Sequence, residues 1–240
     1  MTPVVVFDVR GPLAHFRRPD TLGTHATYPF PTRTALRGLL ASILGRTSLP
    51  DKDRAGLRLR RPVRTVTQEL SLHGKTWEAA SGRPDSFHRP TSIELIVEPH
   101  YTVCYTGLFA DDVGELVRGR RSHFHTYLGS AFCLTFPEGG RLVEAPLVVP
   151  AHETELTCCS VVPADAVASL APEEGRQYAR VGGVSWVHEG EMFEGRFHGR
   201  AVALLYEVNG ASVRFRPAAV TPESYWSFVE IPEEGTVCLW

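Results

Sequence analysis

Two stretches of the sequence place arginine close to aromatic or histidine side chains. The first runs from a Pro- and Thr-rich loop into an expected helix, and the second is a loop containing the run GRRSHFHTYLG. Arginine can grip phosphate through parallel N–H groups, and flat rings stack on unpaired bases. The two stretches therefore have residue types that suit single-stranded RNA, although they could also form a solvated arginine face. The candidate RNA-binding residues are Arg17, Arg18, Tyr28, Arg33, Arg37, Arg120, Arg121, His123, His125 and Tyr127.

The same side chains could also cleave RNA without a metal ion. A histidine or tyrosine could act as general base or acid while a 2′-hydroxyl attacks the adjacent phosphate. His125, His123 and Tyr28 would be the catalytic residues of such an endoribonuclease. No lysine lies near either stretch, and histidine has many roles besides catalysis. We therefore expect no enzymatic activity and no catalytic residue, with the endoribonuclease as the alternative.

Charge is divided unevenly along the chain. Residues 1–126 contain 18 Lys and Arg against 12 Asp and Glu, whereas residues 127–240 contain 7 against 15. The net charge of −2 thus hides a basic first half, which predicts an anionic partner there. A basic stretch with Arg54, Arg58, Arg60, Arg61 and Arg64 is a further candidate contact surface, for RNA or for a neighbouring subunit, although such charge also protects exposed sheet edges from pairing.

Composition argues against several other classes of protein. The five cysteines are odd in number and contain no CxxC spacing, so neither a disulfide framework nor a zinc site is expected. We expect no metal and no cofactor. No apolar run reaches the ~20 residues that a membrane span needs. The N-terminus lacks the basic start of a signal peptide, which predicts a cytoplasmic protein without membrane contacts.

The elements that must position these residues predict an α+β fold. Their order is that of a ferredoxin-like or RRM-like βαββαβ core with an inserted hairpin, and a smaller β-rich region follows. We expect domains at 1–147 and 148–240. The predicted elements are a strand at 4–9, a helix from Thr32 to Gly45, an exposed strand at 57–70, a protruding loop or hairpin at 71–92, a strand at 93–106, a helix at 111–118 and a strand at 131–136.

Two segments carry a resemblance to a known family. FDVRGPLAHFRRPDTLGTHATYPFPTRTALRGLLASILG (7–45) and HTYLGSAFCLTFP (125–137) resemble the signature elements of the CasD family, the fifth family of CRISPR-associated proteins. Thr126 stands where that family usually has proline. The resemblance implies an RRM-like palm with a thumb hairpin, which caps the 5′ handle of the guide RNA (crRNA) in a type I Cascade complex.

The resemblance also implies protein partners. Such subunits contact the first backbone subunit and help to seat the large subunit, and they meet target DNA only indirectly. The insertion at 71–92 would be the thumb, with Trp77, Arg83, Phe87 and Arg89 as contacts to neighbouring subunits. A third interpretation is a subunit that binds only proteins, in which the basic half meets acidic neighbours.

Overall fold

The structure is a computed structural model that describes residues 1–21, 24–74, 87–150, 154–189, 196–221 and 224–240. Within these residues strands predominate beside two α-helices, so the protein has a mixed α+β fold. The helices are α1 (Arg33–Leu44) and α2 (Ala110–Arg118), and a 3-10 turn spans Ala164–Ala166. The strands are β1 (Thr2–Arg10), β2 (Leu13–Ala14), β3 (Phe16–Arg17), β4 (Thr24–His25), β5 (Thr27–Tyr28), β6 (Arg54–Leu59), β7 (Thr65–Gly74), β8 (Phe87–Val97), β9 (His100–Thr106), β10 (Glu138–Ala145), β11 (Leu147–Val148), β12 (Leu156–Cys158), β13 (Val162–Pro163), β14 (Val167–Leu170), β15 (Tyr178–Glu189), β16 (Arg196–Glu207), β17 (Val213–Pro217), β18 (Ser227–Ile231) and β19 (Gly235–Leu239).

A four-stranded sheet in the order β10, β1, β9 and β6 lies at the centre of the fold, and every neighbouring pair is antiparallel. Alternate residues of a strand point to opposite sides of the sheet, and in β1 both sets of side chains are buried. Phe7 and its alternate neighbours pack in the same core as α1 and α2, whereas Val4 and Val6 pack against β18 and β19. Burial on both faces explains the continuous apolar run, and the predicted strand at 4–9 is confirmed.

Helix α1 begins and ends where the sequence predicts. Its apolar face buries Leu36, Leu40 and Ile43 completely. Gly45 ends the helix in the left-handed conformation at φ 71°, which glycine adopts without strain. Thr32 has the extended backbone of an N-cap, but its side chain makes no capping hydrogen bond. The predicted second helix is also confirmed, as α2.

Two predicted strands are each divided in the structure. The exposed strand predicted at 57–70 is confirmed only over residues 65–70, in β7; it is wrong for the residues before them, because β6 lies in the buried sheet and Pro62 lies in the bend between the two strands. The single strand predicted at 93–106 is found as two strands, β8 and β9. Glu98 adopts a left-handed φ of 47° and Pro99 has no N–H to donate, so the chain turns between β8 and β9.

The strand predicted at 131–136 is wrong too, and the last strand of the central sheet is β10 instead. The alternation that suggested a strand is real, since Cys133 and Thr135 are buried while their neighbours are exposed. However, this segment pairs with residues 126–128 of the preceding loop and not with the sheet. Period-two alternation fixes which side chains share a face, but it does not choose the partner strand.

The predicted insertion contains a long antiparallel hairpin. β7 and β8 pair from Thr65 opposite Ile96 to Gly74 opposite Phe87. Trp77 and Arg83 lie outside the described residues, and so do the side chains of Phe87 and Arg89. The thumb contacts assigned to these four residues therefore stay predictions.

The described part of the chain after residue 147 is built mainly from strands, of which β15 and β16 are long and the others short, and its last hairpin covers the central sheet. Ile231 and Leu239 of β18 and β19 pack on the face of the sheet opposite the helices. Ala55 and Trp240 exchange backbone hydrogen bonds of 3.2 and 2.9 Å at the edge of β6. The division into two domains at residue 147 stays a prediction.

One buried carboxylate holds this hairpin to the basic stretch of the first half. Glu234 is 4% exposed and binds Arg58 at 3.0 Å, Arg60 at 2.7 Å and Arg141 at 3.0 Å. Arg61 pairs with Glu98 at 3.0 Å. Three of the five arginines in this stretch are thus engaged by carboxylates of the chain itself, which leaves them less available to an outside partner.

Candidate nucleic-acid interface

The two segments singled out in the sequence meet in the structure. His15 donates its backbone N–H to the carbonyl of Leu128 at 3.0 Å, and the Thr135 hydroxyl donates to the carbonyl of Arg10 at 2.8 Å. Gly129 lies so close to the first segment that a Cβ there would be 2.0 Å from the His15 oxygen. Residues more than 100 positions apart in the chain therefore form one surface.

The loop with the run GRRSHFHTYLG, residues 119–129, also rests on the end of α1; we call it the second loop. His123 donates its N–H to the carbonyl of Ile43, and Phe124 donates to that of Ser42, each at 3.0 Å. These bonds satisfy carbonyls that a helix end leaves without partners. A Cβ on Gly45 would lie 2.4 Å from the His123 ring, so only glycine lets the loop approach this closely. The loop is thus fixed on two sides.

Residues 125–136 form a short antiparallel ribbon with one buried and one exposed face. Tyr127 bridges Leu134, Leu128 donates to the Cys133 carbonyl at 2.8 Å, and Thr135 donates to the Thr126 carbonyl at 3.0 Å. The exposed face comprises His125, Tyr127, Phe132, Leu134 and Phe136. We call it the aromatic ribbon.

Three exposed arginines precede the aromatic ribbon. Arg118 is the last residue of α2, and Arg120 and Arg121 follow it. Within the described residues none of the three forms an ion pair with a carboxylate. No Asp or Glu occurs between Glu115 and Glu138. Their charge is therefore available to an anionic partner.

The candidates of the first segment are less accessible than the sequence suggests. Arg17 is exposed, but Arg18 binds Asp20 at 2.7 Å and lies 5.9 Å from the centre of the Tyr28 ring. Tyr28 is only 7% exposed, which leaves its ring little surface for a base. Burial raises the pKa of Tyr28, so its phenolate is also harder to form as a general base.

Arg33 and Arg37 already bind backbone carbonyls of the loop after α1. Arg37 donates to Leu49, Pro50 and Asp53, and Arg33 donates to Asp51 at 3.2 Å. These bonds hold residues 49–53 against the helix. RNA contacts by the two arginines stay predictions, but they would have to compete with these intrachain bonds.

The described residues offer little other reactive chemistry. No group of three or more His, Cys, Asp or Glu among them could hold a metal ion. Burial raises the pKa of Cys133 and Cys158 to about 11, so these thiols stay protonated. The ring of His123 packs edge-on against Phe124 with centroids 4.8 Å apart.

In the described portion of the chain, no helix is both long and apolar enough to cross a membrane.

The sequence analysis missed Arg118 and three exposed phenylalanines, of which one lies in the second loop and two follow it. Phe124, Phe132 and Phe136 are 56%, 57% and 75% exposed. Phe132 and Phe136 lie in the segment predicted as a strand at 131–136, in which one of the two faces would be buried. The available signal was the lack of acidic residues around them, which marks a surface with uncompensated positive charge.

Comparison with known proteins gives one family match. The family model described as CRISPR-associated protein (Cas_Cas5) matches residues 4–136. No curated protein matches the chain. Among solved structures, "CRISPR RNA-guided surveillance complex" shares 18% identity, with 92% of this chain and 95% of that chain covered and a TM-score of 0.48. "Crystal structure of Cas protein" shares 16% identity, with 86% and 95% covered and a TM-score of 0.45.

Proposed function

Because the chain belongs to the CRISPR-associated Cas5 family, whose model covers residues 4–136, we propose that it binds the 5′ handle of the crRNA in a type I Cascade complex. In this proposal the protein is a structural subunit and not an enzyme. The handle is single-stranded RNA, so its phosphates and unpaired bases are both available for contact.

One observation carries the proposal: arginines without an ion pair among the described residues occur together with exposed aromatic rings, on a loop held by hydrogen bonds to the rest of the chain. Arg118, Arg120 and Arg121 supply positive charge, and residues 123–129 are hydrogen-bonded to α1 and to the first segment. Single-stranded RNA is bound by this combination of phosphate contacts and stacking surfaces. A fixed loop also loses little conformational entropy when the RNA binds.

The distribution of ion pairs supports this loop over the other basic stretch. Arg58 and Arg60 are held by the buried Glu234, and RNA binding by these two arginines would cost that carboxylate two of the three ion pairs described for it. Arg120 and Arg121 would give up no described ion pair on binding phosphate. The loop is thus the surface on which an anionic ligand gains most.

The palm expected from the family resemblance is also a proposal. The elements run β1, α1, β6, β9, α2 and β10, with the β7–β8 hairpin inserted between β6 and β9. The sheet order β10, β1, β9 and β6 is the order 4-1-3-2 of the βαββαβ core. This order supports a ferredoxin-like palm.

We assign the partner proteins by the same reasoning. The β7–β8 hairpin would act as the thumb that contacts the backbone subunit, and the large subunit would be seated beside the handle. Target DNA would then be met only through pairing with the crRNA. The long hairpin register from Thr65 to Gly74 supports a protruding element.

Binding to repeat-derived RNA tests the proposal. We expect the purified chain, or the complex that co-purifies with it, to shift an end-labelled handle RNA on a native gel in metal-free buffer. Changing Arg120 and Arg121 together to alanine should weaken binding about tenfold and reduce the salt dependence by about 1.4 in slope, as for two lost phosphate contacts. The control Arg216→Ala removes an exposed arginine from β17, in another sheet, and should bind normally.

A denaturing gel of the same samples tests the alternative function. RNA that stays intact agrees with a structural subunit. A discrete cut that is lost in His125→Ala, while binding is retained, would make the protein a metal-independent endoribonuclease. Unchanged affinity in the double arginine variant would contradict handle binding through this loop.

A further inference from the structure

We infer that the aromatic ribbon is a stacking platform for unpaired RNA bases, with Phe132 and Phe136 as its main stacking residues. The inference rests on the proposed function and specifies how the bases, as distinct from the phosphates, would be held. It also moves the stacking role away from Tyr28, which is buried.

The pairing of the ribbon places its exposed side chains on one face. Tyr127 and Leu134 form the non-hydrogen-bonded type of antiparallel pair, in which facing side chains come closest. Continuing this register by two residues places His125 opposite Phe136, on the same face as Tyr127 and Leu134. Phe132 precedes the buried Cys133 and therefore shares the exposed face. Four apolar side chains and one histidine thus lie side by side.

The buried face of the aromatic ribbon keeps its other face exposed to solvent. Leu128, Cys133, Thr126 and Thr135 are all buried. The Thr126 hydroxyl donates to the Thr135 carbonyl at 2.6 Å. The ribbon cannot turn its rings inward without exposing these residues and breaking this bond. The rings are therefore presented to solvent before any ligand binds.

The chemistry around the ribbon favours RNA over an apolar protein surface. The chain from Leu116 to Pro137 contains Arg118, Arg120, Arg121, His123 and His125 and no acidic residue. A partner that fits must carry negative charge and also offer flat apolar faces. Single-stranded RNA has both, since each base presents a π face beside a charged backbone.

Fluorescence of a base analogue tests the inference directly. The probe is a single-stranded RNA of about 8 nucleotides from the handle with 2-aminopurine at successive positions, mixed with the full chain. Binding should quench at least one position by stacking. Phe132→Ala and Phe136→Ala should each lower affinity about fivefold or more and reduce that quenching, with the salt dependence unchanged. Phe136→Tyr should retain both.

Two controls separate stacking from folding and charge. Leu147→Ala removes an exposed apolar side chain from β11, in another sheet, and should change neither affinity nor quenching. The double variant of Arg120 and Arg121 should reduce the salt dependence while the remaining complex still quenches. Melting temperatures of all variants should stay close to the wild type, because the substituted side chains are exposed.

The outcomes distinguish this inference from the proposed function. If the wild type binds but both phenylalanine variants bind and quench equally well, stacking is wrong and handle binding stands. If an RNA lacking bases binds as tightly as the intact RNA, stacking is wrong as well. Loss of complex assembly in the variants with normal quenching would make the ribbon a protein-docking surface. Absence of RNA binding by the wild type would overturn the proposed function itself.

Discussion

Replacing Glu234 by glutamine should destabilise the protein strongly although the shape of the side chain is kept. The carboxylate is buried and receives hydrogen bonds from Arg58, Arg60 and Arg141 at 2.7–3.0 Å. Glutamine removes the negative charge and turns an NH2 group toward three guanidinium groups. The positive charges are then left close together without a counter-charge.

The size of the expected loss of stability depends on how deeply Glu234 and its three arginine partners are buried. Breaking a buried ion pair typically costs about 3–5 kcal/mol. The arginine side chains, however, are 25%, 28% and 40% exposed, so water can partly solvate them after the change. We therefore expect about 3 kcal/mol of lost stability, a drop in melting temperature of roughly 6–12 °C for a chain of this size.

Thermal unfolding measured by calorimetry gives the comparison, with Glu233→Gln as the matched control. Glu233 is adjacent, 84% exposed and 4.0 Å from Arg141, so its loss should cost less than about 1 kcal/mol. A melting temperature of Glu234→Gln as close to the wild type as that of Glu233→Gln would refute the reasoning. It would mean that the arginines are solvated in the folded protein and do not hold the last hairpin.

Three other predictions concern stability. Gly129→Ala should lower the melting temperature and weaken RNA binding, because its Cβ would meet the His15 oxygen at 2.0 Å and φ is 87°; wild-type values for both would contradict the meeting of the two segments. Burial raises the pKa of Glu207, but N–H groups of Ala211 and other residues lower it more, so the pKa lies below its usual 4.5. Stability should therefore fall as the pH drops below about 4.5, less steeply in Glu207→Gln, and equal slopes in urea titrations would count against this. Arg37→Ala should cost about 1–2 kcal/mol in the same titrations by releasing residues 49–53, and an unchanged midpoint would show that those bonds contribute nothing.

The elements predicted correctly are those whose signal is local. The spacing of Leu36, Leu40 and Ile43 marks one face of a helix, and Gly45 marks its end. The strand at 4–9 was readable because its residues are nearly all β-branched or aromatic. Each of these patterns involves residues within a few turns or pleats of each other.

The features that were missed depend on which parts of the chain come into contact, and most of these parts are distant in sequence. The alternation at 131–136 was read correctly as two faces, but nothing local shows that its partner is the preceding loop. The basic stretch gave no sign that Glu234, 174 or more positions later, would bind two of its arginines. The sequence around Arg37 likewise gave no sign that its side chain would bind carbonyls of residues 49–53.

The structure shows where the candidate residues lie, and their contacts with RNA stay predictions. Arg120, Arg121 and His125 lie on an exposed loop as a binding role requires, and the first segment does adjoin it. Burial of Tyr28 could not be read from composition, because it results from tertiary packing of the loop before α1. The rings that face solvent instead belong to Phe132 and Phe136.

Photo-crosslinking tests the central claim most directly. Handle RNA containing 4-thiouridine would be irradiated with the protein or its co-purified complex, and crosslinked peptides would be identified after digestion with trypsin. Cleavage after Arg121 and Arg141 releases the aromatic ribbon within one peptide, residues 122–141. We predict that this peptide carries the main crosslink. Crosslinks confined to the β6 stretch or to the chain after residue 154 would contradict binding of the handle at the second loop.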